Sequence, residues 1–127
     1  MAAKGAVAAP LEAAEEFVEG RFLGVDAPLD KARFLLWPLP FERTTSYKKG
    51  TERGPAKLIE GSLGVELWDE ELRAQTYRAG IHTLTPPGIS PGEDAASAFP
   101  KIAAAAARYA AMDDKILFSI GGEHSLS

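Results

Sequence analysis

Cysteine and asparagine are both absent from this sequence of 127 residues. Without cysteine, the chain can form neither a disulfide bond nor a thiolate metal site. Without asparagine, it has no acceptor for N-linked glycosylation. Both absences are compatible with the cytoplasm, and a cytoplasmic location is what we expect.

Basic charge is also scarce and is not concentrated in one region. The chain has 14 basic and 18 acidic residues, which gives a net charge of −4 with both signs mixed along it. A nucleic-acid-binding surface needs clustered basic side chains to neutralise phosphates, so we expect no nucleic-acid partner. Residues 1–10 contain one lysine and no apolar block, and no stretch is long enough to span a bilayer. We therefore expect neither a signal peptide nor a membrane partner.

The residues that are present have the composition of a globular domain preceded by an extension. Hydrophobic residues account for 46% of the chain and charged residues for 25%, which excludes a disordered or fibrous protein. We assign residues 1–31 to an N-terminal extension, in which Pro10 begins a short helix with Phe17 and Val18 on its apolar face. We assign residues 32–127 to the main domain.

Short apolar runs alternate with helical segments in the main domain. Strands are predicted at 32–37, 65–69, 80–84 and 115–120, and helices at 54–61 and 94–112. The first strand is apolar on both alternating faces, as in a parallel sheet, and Pro38 is expected to end it. In the first helix we expect Ala56, Leu58 and Ile59 to be buried, and in the second we expect Pro100 to begin a new helix or cause a kink. The alternation predicts an α/β fold with a mainly parallel sheet.

The candidate functional residue follows the last predicted strand, in Gly121-Gly122-Glu123-His124-Ser125. Ligands of open parallel sheets bind at the carboxyl ends of the strands, and two glycines allow the backbone to turn sharply there. Neutral imidazole is a good ligand for divalent transition metals, which makes His124 a candidate metal ligand. On the residues alone, a surface-loop histidine or a hydrogen-bonding histidine is the more common explanation.

The Gly-Gly-Glu-His-Ser segment resembles the first signature of the ureohydrolases, the family of agmatinases and arginases. A second segment, Pro40-Phe-Glu-Arg-Thr-Thr-Ser-Tyr47 followed by Gly50 and Gly54-Pro55, is similar to the agmatinase pattern of a loop and a helix start. The resemblance covers residues 32–127. It implies a three-layer α/β/α fold with a mainly parallel sheet, of which this chain would hold an incomplete part.

The resemblance also implies a reaction, a cofactor and one site residue. Family members hydrolyse a guanidino compound with two manganese ions that activate a bridging water. The sequence is most similar to agmatinases, which cleave agmatine into putrescine and urea. His124 would bind one ion, and the complete enzyme would form a homo-oligomer. The other five ligands belong to segments that residues 1–127 do not contain, so we expect the chain alone to be an inactive front part.

Two alternatives stay open from the sequence. The chain could be a short, non-catalytic relative that binds a partner, or part of another amidinohydrolase such as an arginase or a guanidinobutyrase. A Gly-Asp pair expected before Gly80 is absent, which leaves the subfamily open. We expect His82 to be a half-buried strand residue and not a metal ligand, and Glu123 to orient its loop by hydrogen bonds. The basic residues of the loop after the first strand are expected to be solvated: Arg43, Lys48, Lys49 and Arg53.

Overall fold

The computed structural model describes residues 17–43, 48–90 and 92–126. Three strands form one parallel sheet in the order β2-β1-β3, with β1 at Phe34–Leu39, β2 at Ile81–Thr83 and β3 at Ile116–Gly121. The two helices are α1 at Gly54–Ser62 and α2 at Ala95–Ala110. The predicted α/β fold with a parallel sheet is therefore confirmed.

The strand order explains the arrangement of the helices. The chain leaves β1 through α1 to reach β2 on one side, then returns through α2 to β3 on the other side. Right-handed crossovers in opposite directions put their helices on opposite faces of a sheet. The described residues thus form three layers, with the sheet between α1 and α2.

The hydrophobic core lies between β1 and α2. Leu35 and Trp37 on β1 are 0% and 1% exposed, and the Trp37 ring meets Tyr109 of α2 edge-on at 5.6 Å between centroids. Ala98 and Ile102 of α2 are also buried. The face of β1 towards α2 is buried and the opposite face is partly buried, so the burial on both faces that the apolar run predicted is confirmed in part.

Pro38 does not end β1, contrary to the sequence-based expectation. The strand continues to Leu39, and Pro38 is paired in register with Ile120 of β3. The carbonyl of Leu36 accepts the N–H of Leu84. Every second residue of a strand directs its backbone N–H and C=O groups to the same side, so those of Pro38 also face β2. Since β2 ends at Thr83, the N–H that Pro38 lacks would point past its end, and no ladder bond is lost.

Three further expectations are wrong, the first completely and the other two in part. The predicted strand at 65–69 is a series of turns, in which a single bridge joins Asp69 to Ala74. On α1, Ile59 is buried, but Ala56 is exposed and Leu58 is 46% exposed. Pro100 does not begin a new helix, because α2 runs without interruption through it, and the alternative of a kink stays a prediction. As the sixth residue of α2, Pro100 lacks the N–H that would bond the carbonyl four residues earlier.

The described part of the N-terminal extension packs along the outer side of β2. Ala27 donates its backbone N–H to Ile81 at 2.9 Å, and the N–H of Phe22 reaches the Thr83 hydroxyl at 3.0 Å. The short helix expected from Pro10 onwards lies mostly outside the described residues. Within the part of the chain that the structure describes, no helix has the length and apolar character needed to cross a bilayer.

The outer side of β3 differs from that of β2, because none of the described strands pairs with it. Ile116 is 40% exposed and Phe118 is 53% exposed, and the Phe118 ring lies 6.1 Å from the Phe34 ring, measured between centroids. An apolar strand edge of this kind is a template for self-association.

We expect Phe118→Lys to reduce self-association of this chain with little change in its free energy of unfolding, because a lysine on an edge strand opposes pairing. Leu35→Ala, on the buried strand, should instead cost about 2–5 kcal/mol. Light scattering and urea unfolding of both variants measure the two effects. A loss of stability in Phe118→Lys equal to that in Leu35→Ala would show that the β3 edge belongs to the core.

Candidate functional site

His124 lies at the carboxyl end of the sheet, as the sequence predicted. β3 ends at Gly121, and His124 begins a short 3-10 turn, His124–Leu126. The histidine is exposed, and it lines an open depression together with Leu39, Gly121 and Gly122. Because Leu39 is the last residue of β1, the depression lies where the two parallel strands end side by side.

The glycine turn before His124 is held against the end of β1 by backbone contacts. Gly122 donates its N–H to the Leu39 carbonyl at 3.0 Å, and Glu123 donates to the Phe41 carbonyl at 3.1 Å. A Cβ atom on Gly122 would collide with the Phe41 carbonyl oxygen. Neither Gly121 nor Gly122 has a positive φ, so glycine is needed at 122 for close approach and not for a left-handed conformation.

Glu123 is buried and directs its carboxylate back into the turn. Its Oε2 accepts the backbone N–H of Arg43 at 2.7 Å, and its Oε1 accepts the Ser125 hydroxyl at 2.5 Å. The residue is 7% exposed, so these bonds act where water competes little. The expectation that Glu123 orients the loop is confirmed.

A second buried carboxylate, Glu42, organises the loop after β1. Its two oxygens accept the N–H of Gly50 at 2.8 and 2.9 Å, and Oε2 also accepts the N–H of Glu52 at 3.1 Å. Thr51, between them, donates its hydroxyl to the Gly122 carbonyl at 2.9 Å. No role for Glu42 or Thr51 was expected from the sequence. The available signal was a carboxylate placed shortly before a Gly-Thr-Glu helix start.

The basic loop is only partly solvated. Lys48, Lys49 and Arg53 are exposed, as predicted, but Arg43 is half-buried. Its Nε donates to the Glu93 carbonyl at 2.7 Å, and its guanidinium lies 5.6 Å from the Phe41 ring centroid. The expectation of a solvated side chain is therefore wrong for Arg43, which joins the loop to the segment before α2.

His82 makes its contacts with the N-terminal segment and not with the residues at this edge of the sheet. It lies in β2, half-buried, with Nδ1 2.9 Å from the Ala27 carbonyl oxygen and 3.2 Å from Asp26 Oδ1. The ring is thus used to attach the N-terminal segment to the sheet. The interpretation of His82 as a strand residue is confirmed.

The donor set for a metal ion is incomplete within the described residues. Among them, no three histidine, aspartate or glutamate side chains lie close enough together to hold an ion. One exposed imidazole at the strand ends fits a single position in a coordination shell. The described residues therefore do not form a complete metal site, and metal binding by His124 stays a prediction.

Residues 32–127 match the sequence model of the arginase family. The chain belongs to this family. The resemblance inferred from the glycine–histidine turn and the loop after β1 is confirmed over the same residues. As a member of the arginase family, the chain has the α/β architecture that the strand order shows, in partial form.

The relatives of this arginase-family chain are longer than the chain itself. N(1)-aminopropylagmatine ureohydrolase of Synechocystis sp. is 34% identical over 99 residues, which cover 76% of this chain and 32% of that protein. The protein of the same name from Thermus thermophilus is 34% identical over 61 residues, which cover 48% of this chain and 21% of that protein. The chain thus spans about a third of the curated relatives it matches, or less.

A solved structure supports the fold. The agmatine ureohydrolase of Thermoplasma volcanium superimposes with a TM-score of 0.70 at 18% identity, covering 91% of this chain and 37% of that one. At this level of identity the likeness shows the architecture, and function has to be argued from the site.

Glu93 connects the site loop to α2, and its carboxyl group is strongly perturbed. Lys101, whose Nζ is 2.7 Å from Oε1, lowers the pKa of Glu93 from 4.5 to about 2, with help from the Ser97 hydroxyl and the Ser90 backbone N–H. The Ser97 hydroxyl lies 2.6 Å from Oε1, and the Ser90 nitrogen lies 2.9 Å from Oε2. The folded state therefore favours the ionised form of Glu93 over the protonated form more strongly than the unfolded state does.

Glu93→Gln should destabilise the chain above pH 4.5, where the unfolded carboxyl is ionised, and the difference from wild type should shrink as pH falls towards about 2. The lowered pKa fixes this sign, because protonation removes the favourable contacts. Urea unfolding across this pH range measures it, with Glu71→Gln as the matched control at an exposed site. A difference that does not change with pH would contradict the perturbed pKa.

Proposed function

We propose that the chain forms part of a metal-dependent ureohydrolase that converts a guanidino compound into urea and an amine. His124 is the residue to which we assign metal binding, as one ligand of a pair of manganese ions. The observation that supports this most directly is the position of the Gly-Gly-Glu-His turn. It lies at the carboxyl ends of two adjacent parallel strands, in a chain of the arginase family.

The chemistry of the substrate explains why metal ions suit this reaction. A guanidinium carbon is a poor electrophile, because its charge is shared by three nitrogens, and neutral water attacks it slowly. A pair of divalent cations supplies hydroxide at neutral pH by lowering the pKa of bound water. The contribution of this chain is an imidazole on a turn that Glu123 and the end of β1 hold in place.

The substrate that we propose is agmatine or an agmatine that carries an aminopropyl group. The relatives from Synechocystis and Thermus are named for the second compound, and the Thermoplasma structure is named for the first. Both compounds present the same guanidino group and differ in the tail. We also propose that the complete protein is cytoplasmic and forms a homo-oligomer. Substrate comparison on the complete protein separates these two compounds from arginine and guanidinobutyrate.

We expect Mn²⁺ to broaden the imidazole NMR signals of His124 before those of His82. The ion is paramagnetic, His124 is exposed at the strand ends, and His82 is bonded to Ala27. His124→Ala and His82→Ala assign the signals, and the second variant should keep the broadening. Equal broadening of both rings, or of neither, would contradict the assigned role of His124.

We expect the chain of 127 residues to release no urea from agmatine or aminopropylagmatine in the presence of Mn²⁺. Its described residues offer one ligand where a binuclear site needs several. A colorimetric urea assay tests this, with a complete relative such as the Synechocystis enzyme as the positive control. Urea release that depends on Mn²⁺ and disappears in His124→Ala would show that the chain holds a whole site.

A further inference from the structure

We infer that Thr51 is a positioning residue for His124, because its hydroxyl connects the loop after β1 to the turn that carries the histidine. The metal-binding part of this inference rests on the proposed function, whereas the connection itself is a property of the fold. Thr51 and Gly122 are 71 residues apart in the sequence, so the contact exists only in the folded chain.

The loop that carries Thr51 is fixed by Glu42. The Glu42 carboxylate accepts the N–H groups of both flanking residues, Gly50 and Glu52. Those N–H groups belong to the start of the 3-10 turn Thr51–Arg53, which continues directly into α1. A negative charge at the amino end of a helical segment is favourable, and a carboxylate that receives several N–H donors can be buried. These bonds restrain the backbone on both sides of Thr51 relative to Glu42.

The hydrogen bond from Thr51 is one of three contacts that restrain Gly122. The N–H of Gly122 is bonded to Leu39, its carbonyl accepts the Thr51 hydroxyl, and its Cα hydrogens face the Phe41 carbonyl too closely to admit a side chain. Gly122 is therefore restrained by the ends of β1, by the loop and by its own close packing.

The loop after β1 donates two hydrogen bonds to the turn after β3. The β3 turn accepts a hydroxyl from the loop at Gly122 and accepts the Arg43 N–H at Glu123. His124 follows immediately on Glu123 in the chain, so the backbone from which its ring projects is set by these two contacts. A metal ligand that is held in one orientation before the ion arrives loses less freedom on binding.

The test compares Thr51→Val, which keeps the shape and removes the hydroxyl, with Thr51→Ser, which keeps the hydroxyl. Thr51→Ala is included in case the second methyl group prevents folding. Thr76→Val is the matched control, since Thr76 is exposed in the turn before β2. Two readouts are measured on the full chain: hydrogen exchange of the Gly122 and Glu123 amides, and Mn²⁺ broadening of the His124 ring.

We expect Thr51→Val and Thr51→Ala to raise the exchange rates of the Gly122 and Glu123 amides by about threefold to tenfold, with smaller changes in the amides of β1 and α2. The Mn²⁺ concentration that broadens His124 should rise by a similar factor. Thr51→Ser should restore both readouts, and Thr76→Val should leave both unchanged.

Three results would overturn the inference: exchange at Gly122 and Glu123 that does not respond to Thr51→Val, an increase spread evenly over the sheet, or unchanged Mn²⁺ broadening where exchange has risen. The even increase would mean that Thr51 contributes only to overall stability. Failure of the proposed function is recognised separately, because the wild-type His124 ring would then show no Mn²⁺ effect. In that case the exchange pattern still decides whether Thr51 holds the turn.

Discussion

The pairing of the turn after β3 with the end of β1 is the constraint on which the candidate site depends. The carbonyls of Leu39 and Phe41 accept the N–H groups of Gly122 and Glu123, which continues the contact between the strands beyond the sheet. This backbone approach leaves no room for a side chain at 122. Steric exclusion therefore requires glycine at position 122. The position of His124 depends on β1 and its loop as well as on β3.

Two buried carboxylates stabilise this arrangement. Removing a carboxylate from water is unfavourable unless donors replace the lost hydration. Glu42 and Glu123 obtain these donors from backbone N–H groups of the surrounding loops, which gives each charge a structural task. Both carboxylates are directed into the protein, whereas the His124 imidazole beside them is exposed.

The sequence predicted the parts of the structure that depend on local pattern. The apolar runs located β1, β2 and β3, and the Gly-Pro pair located the start of α1, because burial and helix initiation leave periodic or positional signals. The end of β1 was missed because the tolerance of Pro38 depends on where the neighbouring strand β2 stops. Thr51 was missed for a related reason, since its partner is 71 residues away and no local pattern announces a hydroxyl that bonds a distant carbonyl.

The turn that carries His124 is restrained by more contacts than the outer side of β3. The outer side of β3 exposes Phe118 and no described strand pairs with it. The hydrogen bonds described between the Gly122-Glu123 turn and other segments come instead from the inner side, through β1 and its loop. Similarity to the Thermoplasma structure at 18% identity shows how much side-chain change this architecture accepts. Backbone pairing and backbone-directed carboxylates depend little on the identity of neighbouring side chains. They are therefore suited to keeping the turn that carries His124 in place while the rest of the sequence changes.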